Sequence, residues 1–185
     1  MKVVIAWESM YGNTHAVAEG IAEGLQDAAA DVIIEHTSDL KEFPACDLLV
    51  VGAPTHALGL PTAASRQQAV ARSAGQLHLE ARAEQSGLRE WIAHLADTEA
   101  GRRPVVAIFD TRLRGFGVLG HAGRRAARQM RRHGLSVAAS QSFFVDHNTA
   151  LVKGELERAK MWGASLAALI PSPRPADDEG SRRQA

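Results

Sequence analysis

Residues 7–14 (WESMYGNT) lie between a short apolar run and a long amphipathic segment. The preceding run, residues 2–6 (KVVIA), is rich in β-branched side chains, which predicts a buried parallel strand. In residues 14–27, apolar side chains recur at helical spacing among Ala, Glu and Gln, which predicts an amphipathic helix. The stretch therefore predicts a strand, a loop and a helix in succession, the unit from which α/β folds are built.

The loop between this strand and helix is suited to holding a phosphate group. A phosphate there would meet backbone N–H groups, the positive end of the helix dipole, and the hydroxyls of Ser9 and Thr14. The same residues allow a simpler interpretation, in which Asn13 or Thr14 caps the helix and no ligand binds. The loop is not a P-loop, because it has no lysine, and its single glycine excludes the dinucleotide fingerprint.

The loop resembles the phosphate loop of the flavodoxin-like family, whose pattern is Ser/Thr-x-Thr-Gly-x-Thr. Ser9, Gly12 and Thr14 match that pattern, and Tyr11 replaces its central threonine. The Ser-Met-Tyr-Gly sequence is more similar to the quinone-reductase branch of the family than to the classical flavodoxins. The resemblance covers nearly all of residues 1–170. It implies flavin mononucleotide (FMN), bound non-covalently and held by its single phosphate without a lysine.

Strands and helices alternate along the chain. Strands are predicted at residues 2–6, 31–36, 47–52, 104–110 and 135–145, the last with a break near residues 140–142. Helices are predicted at residues 14–27, 62–72, 87–96, 118–132 and 153–170, with one helical turn at residues 38–42 and a surface excursion at residues 73–86. The alternation predicts a three-layer, doubly wound α/β fold with a five-stranded parallel sheet. The flavodoxin-like strand order, 2-1-3-4-5, is expected for it.

The composition is that of a single soluble globular domain, with 185 residues of which 45% are hydrophobic and 23% are charged. We expect that domain at residues 1–170, and a disordered tail at residues 171–185 because the tail is rich in polar residues and proline. No apolar run is long enough to span a membrane, and no signal peptide precedes the first strand. Cys46 is the single cysteine, which excludes an internal disulfide. These features predict a cytoplasmic protein.

Charge is unevenly distributed although the formal net charge is zero. Residues 1–60 contain two lysines and nine carboxylates, a net charge of −7, and residues 61–185 carry the opposite charge of +7. Such a dipolar surface can orient a partner during its approach. The distribution also departs from classical flavodoxins, which are usually strongly acidic and dock on basic redox partners.

Three loops are expected to form the ligand site. In the flavodoxin-like strand order, ligands lie at the carboxyl ends of the strands, where the loops at residues 8–14, 53–61 and 111–117 converge. The resemblance implies that the phosphate is surrounded by Ser9, Met10, Tyr11, Gly12, Asn13 and Thr14. It implies that the isoalloxazine ring is flanked by Pro54, Thr55, His56, Ala57, Thr111, Arg112, Leu113, Gly115, Phe116 and Gly117.

Several residues of the second and third loops have two interpretations each. His56 could bond the ring edge or deliver a proton, since its unperturbed pKa is near neutrality, but a half-exposed loop histidine that titrates normally is the favoured interpretation. Leu58 stands where the family often has an aromatic residue, and Phe116 could stack on the flavin or turn into the core. Arg112 could stabilise a reduced, anionic flavin or could simply be solvated. Residues 115–120 match Gly-x-Gly-x-x-Gly, but the match does not directly follow a strand and is a false positive.

A run of arginines surrounds the fourth predicted helix. Its members are Arg112, Arg114, Arg124, Arg125, Arg128, Arg131 and Arg132. The run could dock an acidic partner or the phosphates of NAD(P)H, and a solvated helix face is the simpler interpretation. No recognised nucleic-acid-binding module is present, so no nucleic-acid partner is predicted. The eight histidines lack neighbours at metal-ligand spacing, so no metal site is predicted.

These observations predict an FMN-binding redox protein. It would transfer electrons to a redox partner or a small acceptor, or reduce a quinone-like acceptor with electrons from NAD(P)H. No independent nucleophile or acid–base pair is evident, so any enzymatic activity would be that of an FMN-dependent oxidoreductase. The alternative is a flavodoxin-like interaction module that no longer binds flavin. Such a module would tolerate the loss of ring-stacking aromatics.

Overall fold

The computed structural model of the chain describes residues 1–56, 59–73, 77–95, 103–115 and 121–170. Within these ranges the predicted alternation of strands and helices is present. The predicted tail at residues 171–185 lies outside the described residues. None of the described helices is both long enough and apolar enough to cross a membrane.

Five parallel strands form one sheet in the order β2-β1-β3-β4-β5. The strands are β1 (Lys2–Trp7), β2 (Asp31–His36), β3 (Leu48–Pro54), β4 (Val105–Leu113) and β5 (Ser136–Val145). The inner strands β1, β3 and β4 are apolar and buried almost throughout, as a parallel sheet covered on both faces requires, whereas the edge strands β2 and β5 are partly exposed. The predicted fold class and strand order are confirmed.

Helices cover both faces of the sheet. They are α1 (Asn13–Asp27), α2 (Ala63–Ser73), α3 (Leu88–His94), α4 (Ala122–Arg132) and α5 (Glu155–Leu166), the last followed by a 3-10 turn (Ala167–Leu169). One core cluster joins α1 and α5 to the sheet through residues such as Ile5, Ile21 and Phe143. A second cluster joins α3 and α4 to the opposite face through residues such as Ile92 and Met130.

Helices α1 and α5 approach each other closely because glycines face the neighbouring backbone. A Cβ atom added at Gly24 would overlap the carbonyl oxygen of Lys160, and one added at Gly163 would overlap that of Ile21. At Gly20, one turn earlier on α1, an added Cβ would lie 3.2 Å from the Cβ of Ala159. Small residues at these positions allow the two backbones to pack almost in contact.

The structure corrects several predicted boundaries. Strand β4 continues to Leu113 and β3 to Pro54, because Thr111 pairs with Pro54 on one side and with Phe143 on the other. Strand β5 has no break near residues 140–142; the irregularity is a register shift opposite Val106 and Ala107. Residues 37–39 form a turn where a helical turn was predicted at residues 38–42. Helix α4 begins at Ala122, and residues 116–120, where its start was predicted, lie outside the described residues.

Candidate functional site

The loop between β1 and α1 forms a tight turn at the carboxyl edge of the sheet. Gly12 has φ +85°, in the left-handed region that favours glycine, and precedes the first helical residue. Its N–H donates to the Ser9 hydroxyl oxygen at 3.0 Å, and its carbonyl accepts the Ala16 N–H at 2.9 Å. No side chain caps the helix, so capping by Asn13 or Thr14 is the wrong interpretation.

The side chains of the two residues thought to cap α1 have other partners. Asn13 donates from its side-chain amide to the carbonyl oxygen of Thr149 at 2.6 Å. The hydroxyls of Thr14 and Thr111 are hydrogen-bonded at 2.7 Å, and both side chains are buried. The loop is therefore tied to the end of β4 and to the loop that follows β5.

The turn presents a set of donors suited to an anion. Among the described residues, the backbone N–H groups of Tyr11, Asn13 and Thr14 have no acceptor. They lie at the N-terminus of α1, where the helix dipole adds positive potential. The hydroxyls of Thr14 and Thr111 use one proton for their mutual hydrogen bond, which leaves one proton of the pair to donate elsewhere. This donor set fits a phosphate monoester without any cationic side chain.

The second predicted loop meets the end of β4 and the start of α4 at this edge. Thr55 donates its N–H to the carbonyl oxygen of Thr111 at 2.8 Å, and its hydroxyl oxygen accepts the Ala122 N–H at 3.1 Å. The backbones of His56 and Gly59 exchange two hydrogen bonds. Ala57, predicted to contact the ring, and Leu58 lie outside the described residues.

His56 does not titrate as an ordinary loop histidine. Burial lowers its pKa from the usual value to about 4, and the positive charge of Arg66 acts in the same direction. Its Nδ1 atom lies 3.3 Å from the Ser65 hydroxyl. The imidazole is therefore neutral at neutral pH, and the predicted normal titration is wrong.

The third predicted loop is shorter than expected, because Thr111, Arg112 and Leu113 belong to β4. Thr111 faces the phosphate loop through its bond to Thr14. The guanidinium of Arg112 lies 5.0 Å from the ring centroid of Phe144, so its side chain packs along β5. Gly115 is exposed with φ +97°. Phe116 and Gly117 lie outside the described residues, as does most of the Gly-x-Gly-x-x-Gly match.

A buried ion cluster lies at the start of the phosphate loop. The Glu8 carboxylate, in a residue 2% exposed, accepts from Arg66 Nη1 at 3.0 Å and from the Leu88 N–H at 2.9 Å. Arg66 also donates to Glu90 at 2.9 Å. Burial raises the pKa of Glu8 above its usual value, and the Leu88 N–H and the charge of Arg66 offset part of that effect. The cluster joins the start of the loop to α2 and α3.

The segment predicted as a surface excursion at residues 73–86 instead packs on the phosphate loop where it is described. The Glu80 N–H donates to the Met10 carbonyl oxygen at 2.9 Å, and Ala83 in the same segment is buried. The Glu80 carboxylate lies 3.0 Å from Nδ1 of His15, whose ring stacks on Trp7 at a centroid distance of 3.9 Å. A carboxylate therefore lies close to the turn whose N–H donors suit an anion.

Sequence reasoning missed Glu8, Arg66 and Glu80 as parts of this site. Glu8 carried one signal, since a carboxylate directly after a buried strand requires a partner. Nothing in the local sequence identified that partner, because Arg66 is 58 residues away. No group of three His, Cys, Asp or Glu side chains within the described ranges could hold a metal ion.

Comparisons with known proteins agree with this architecture. The family model for flavodoxin matches residues 5–117. The flavodoxin of Streptococcus pneumoniae TIGR4 is 19% identical, with a TM-score of 0.60, over 92% of this chain and 100% of that one. Oxidised flavodoxin 1 from Bacillus cereus is 16% identical, with a TM-score of 0.61, over 92% of this chain and 100% of that one.

A WrbA-like flavodoxin from Agrobacterium tumefaciens is also similar in structure. It is 21% identical, with a TM-score of 0.51, over 91% of this chain and 96% of that one. At such identities, the structural likenesses concern the fold alone. The search of curated proteins gives no match.

Proposed function

We propose that this chain, which belongs to the flavodoxin family and takes FMN as its cofactor, passes electrons between FMN and a protein redox partner. Bound FMN supplies the redox chemistry, since it accepts and releases electrons singly or in pairs. The observation that carries the proposal is the donor set at the N-terminus of α1, which suits a phosphate monoester. The chain's own residues bind and orient the cofactor.

Each part of the carboxyl edge has a role in this proposal. The N–H groups of Tyr11, Asn13 and Thr14 would hold the phosphate, and Ser9 keeps the turn closed by accepting the Gly12 N–H. The backbone at Pro54, Thr55 and His56 would line the ring. Thr111 would keep the phosphate loop and the ring-binding strands in register through its bonds to Thr14 and Thr55.

The protonation state of His56 favours electron transfer over quinone reduction. Two-electron reduction of a quinone to a quinol consumes two protons, which a nearby acid can supply. His56 is the titratable side chain that the described part of the second loop brings to this edge, and its pKa of about 4 leaves it neutral at neutral pH. Transfer of electrons to a protein partner needs no such acid.

Quinone reduction is the second candidate, and the phosphate loop is the observation that favours it. Tyr11 replaces the threonine of the classical loop, as in the similar quinone-reductase sequences, and its hydroxyl donates to the Ala69 carbonyl oxygen at 2.9 Å. Steady-state oxidation of NADH or NADPH by the FMN-loaded protein with a soluble benzoquinone distinguishes the two. A turnover number on the order of tens per second, which is within the range typical of enzymes, would favour quinone reduction.

Replacing Thr14 by Ala is expected to weaken FMN binding by about 1–3 kcal/mol, because a hydrogen bond to a charged phosphate is lost. Titration of the apoprotein with FMN, followed by visible absorbance, measures the change. Thr37→Ala is the matched control, because Thr37 is buried directly after β2 and its hydroxyl has no hydrogen-bond partner among the described residues. Equal affinities for the two variants would show that the Thr14 hydroxyl does not bind the phosphate. If the unmodified chain did not bind FMN, the interaction module would be favoured.

Replacing Glu80 by Gln is expected to strengthen FMN binding about two- to fivefold at low ionic strength, because a carboxylate near the bound phosphate repels it. The gain should shrink as salt screens the repulsion. FMN titrations in roughly 20 mM and 500 mM salt test both statements. Glu84→Gln removes an exposed carboxylate of the same segment and serves as the control. Weaker binding by Glu80→Gln would show that its contact with His15 matters more than its charge.

A further inference from the structure

We propose that the exposed arginines of α4 dock the acidic surface of a protein redox partner, an inference that rests on the electron-transfer function proposed above. The surface, here called the α4 arginine face, consists of Arg124, Arg125, Arg128, Arg131 and Arg132. All five side chains are exposed. They account for nearly half of an 11-residue helix.

The α4 arginine face lacks the ion pairs that the chain makes elsewhere. Lys160 on α5 pairs with Asp27 at 3.0 Å, and Arg158 pairs with Glu155. Within the described ranges, no carboxylate forms an ion pair with any arginine of the face. Its positive charge is therefore available to an external partner.

The spacing of the arginines and the positive charge at the start of α4 are unfavourable for the isolated helix, whereas Arg131 and Arg132 in its last turn suit the helix dipole. Arg128 lies four residues from Arg124 and from Arg132, and like charges at that spacing destabilise a helix. Arg124 and Arg125 also occupy the first turn, where the helix dipole disfavours cations. Asp110 beneath that turn accepts the Gly123 N–H at 2.8 Å, which offsets part of the cost. Local arrangements that oppose stability are most often found at functional surfaces.

The α4 arginine face begins at the edge where FMN is proposed to bind. The first N–H of α4 donates to the Thr55 hydroxyl, and the side chain of Arg125 lies against Gly59 in the second loop. A cleft of about 570 Å³ runs along the helix between its arginines and Ser140 of β5. Because β5 is the edge strand of the sheet, the cleft is open to a partner from the side. A protein seated there would lie beside the cofactor.

The charge distribution favours an acidic protein over a nucleic acid. Residues 1–60 carry a net charge of −7, so a long polyanion extending beyond α4 would meet repulsion. An acidic protein patch of limited size can cover the helix, which spans about 16 Å at 1.5 Å per residue. The proposed docking charge is opposite to that of classical flavodoxins, in keeping with the charge distribution by which the sequence departs from them.

The test compares two charge-matched triple variants of the full chain. One carries Arg124→Gln, Arg128→Gln and Arg132→Gln; the other carries Lys41→Gln, Arg72→Gln and Lys153→Gln, all exposed sites outside α4. An acidic [2Fe–2S] ferredoxin is the probe, and calorimetry at low salt measures its binding. We expect the α4 variant to bind ferredoxin at least about tenfold more weakly than the unmodified chain does, with a smaller salt dependence. The affinity of the control variant should change by less than about twofold.

Three results would overturn the proposal. They are no ferredoxin binding by the unmodified chain, equal losses in the two variants, and tighter binding of a 20-base-pair DNA duplex than of ferredoxin. The binding is measured with both the apoprotein and the FMN-loaded protein, and FMN is titrated separately. Failure of the FMN titration would therefore refute the proposed function, whereas failure of ferredoxin binding alone would refute the docking surface.

Discussion

Replacing Arg66 by Met is expected to lower the free energy of unfolding by about 3–5 kcal/mol, because the buried Glu8 carboxylate would lose its cationic partner. Methionine retains most of the apolar stem of arginine, so the loss arises mainly from charge rather than from a cavity. Glu90, which is partly exposed, can be solvated when its own contact is lost. Urea denaturation at neutral pH measures the change.

A double variant and a pH series identify the cause of that loss. Glu8→Gln combined with Arg66→Met should recover most of the stability, because glutamine keeps an acceptor for the Leu88 N–H and carries no charge. Burial raises the folded-state pKa of Glu8, so the stability cost of burying the ionised carboxylate depends on pH. The cost is absent below the ordinary carboxyl pKa, grows as pH rises to the raised pKa, and is constant above it. Arg66→Met should therefore cost more at pH 7 than in acid. A pH-independent loss that the double variant does not recover would indicate packing.

Replacing Gly24 by Ala is expected to cost about 2–3 kcal/mol of stability, although alanine is the better helix former by about 1 kcal/mol. The added methyl group would overlap the Lys160 backbone and force α1 away from α5. Gly20→Ala, on the same helix as Gly24, is the matched control. Its added methyl group would lie 3.2 Å from the Cβ atom of Ala159 on α5. We expect a change within about 1 kcal/mol there. Equal effects in thermal or urea unfolding would show that helix propensity, not contact, governs this interface.

Local patterns were sufficient for the positions of the strands and helices and for the fold class, whereas the strand order followed from the resemblance to the flavodoxin-like family. Apolar runs located β1 and β2 to within one residue, and the polar stretch after β1 located the turn that precedes α1. The alternation of strands and helices then favours a doubly wound sheet. Each of these signals is contained in a continuous segment of the chain.

The parts of the site that sequence reasoning missed depend on contacts between distant segments. Glu80 and His15 are 65 residues apart, and Thr14 and Thr111 are 97 residues apart. The pKa of His56 depends on burial and on Arg66, neither of which follows from residue order. The end of β4 was misplaced because pairing with both neighbouring strands, rather than its own composition, extends it to Leu113.

The packing of α1 against α5 also bears on how the chain folds as it leaves the ribosome. Helix α1 is complete at residue 27, but the helix that covers its glycines begins at residue 155. At about 5–20 residues per second, on the order of ten seconds separate their synthesis. During that interval the face of α1 that carries Gly20 and Gly24 lacks its partner, so the nascent chain exposes a surface on which a chaperone can act before release.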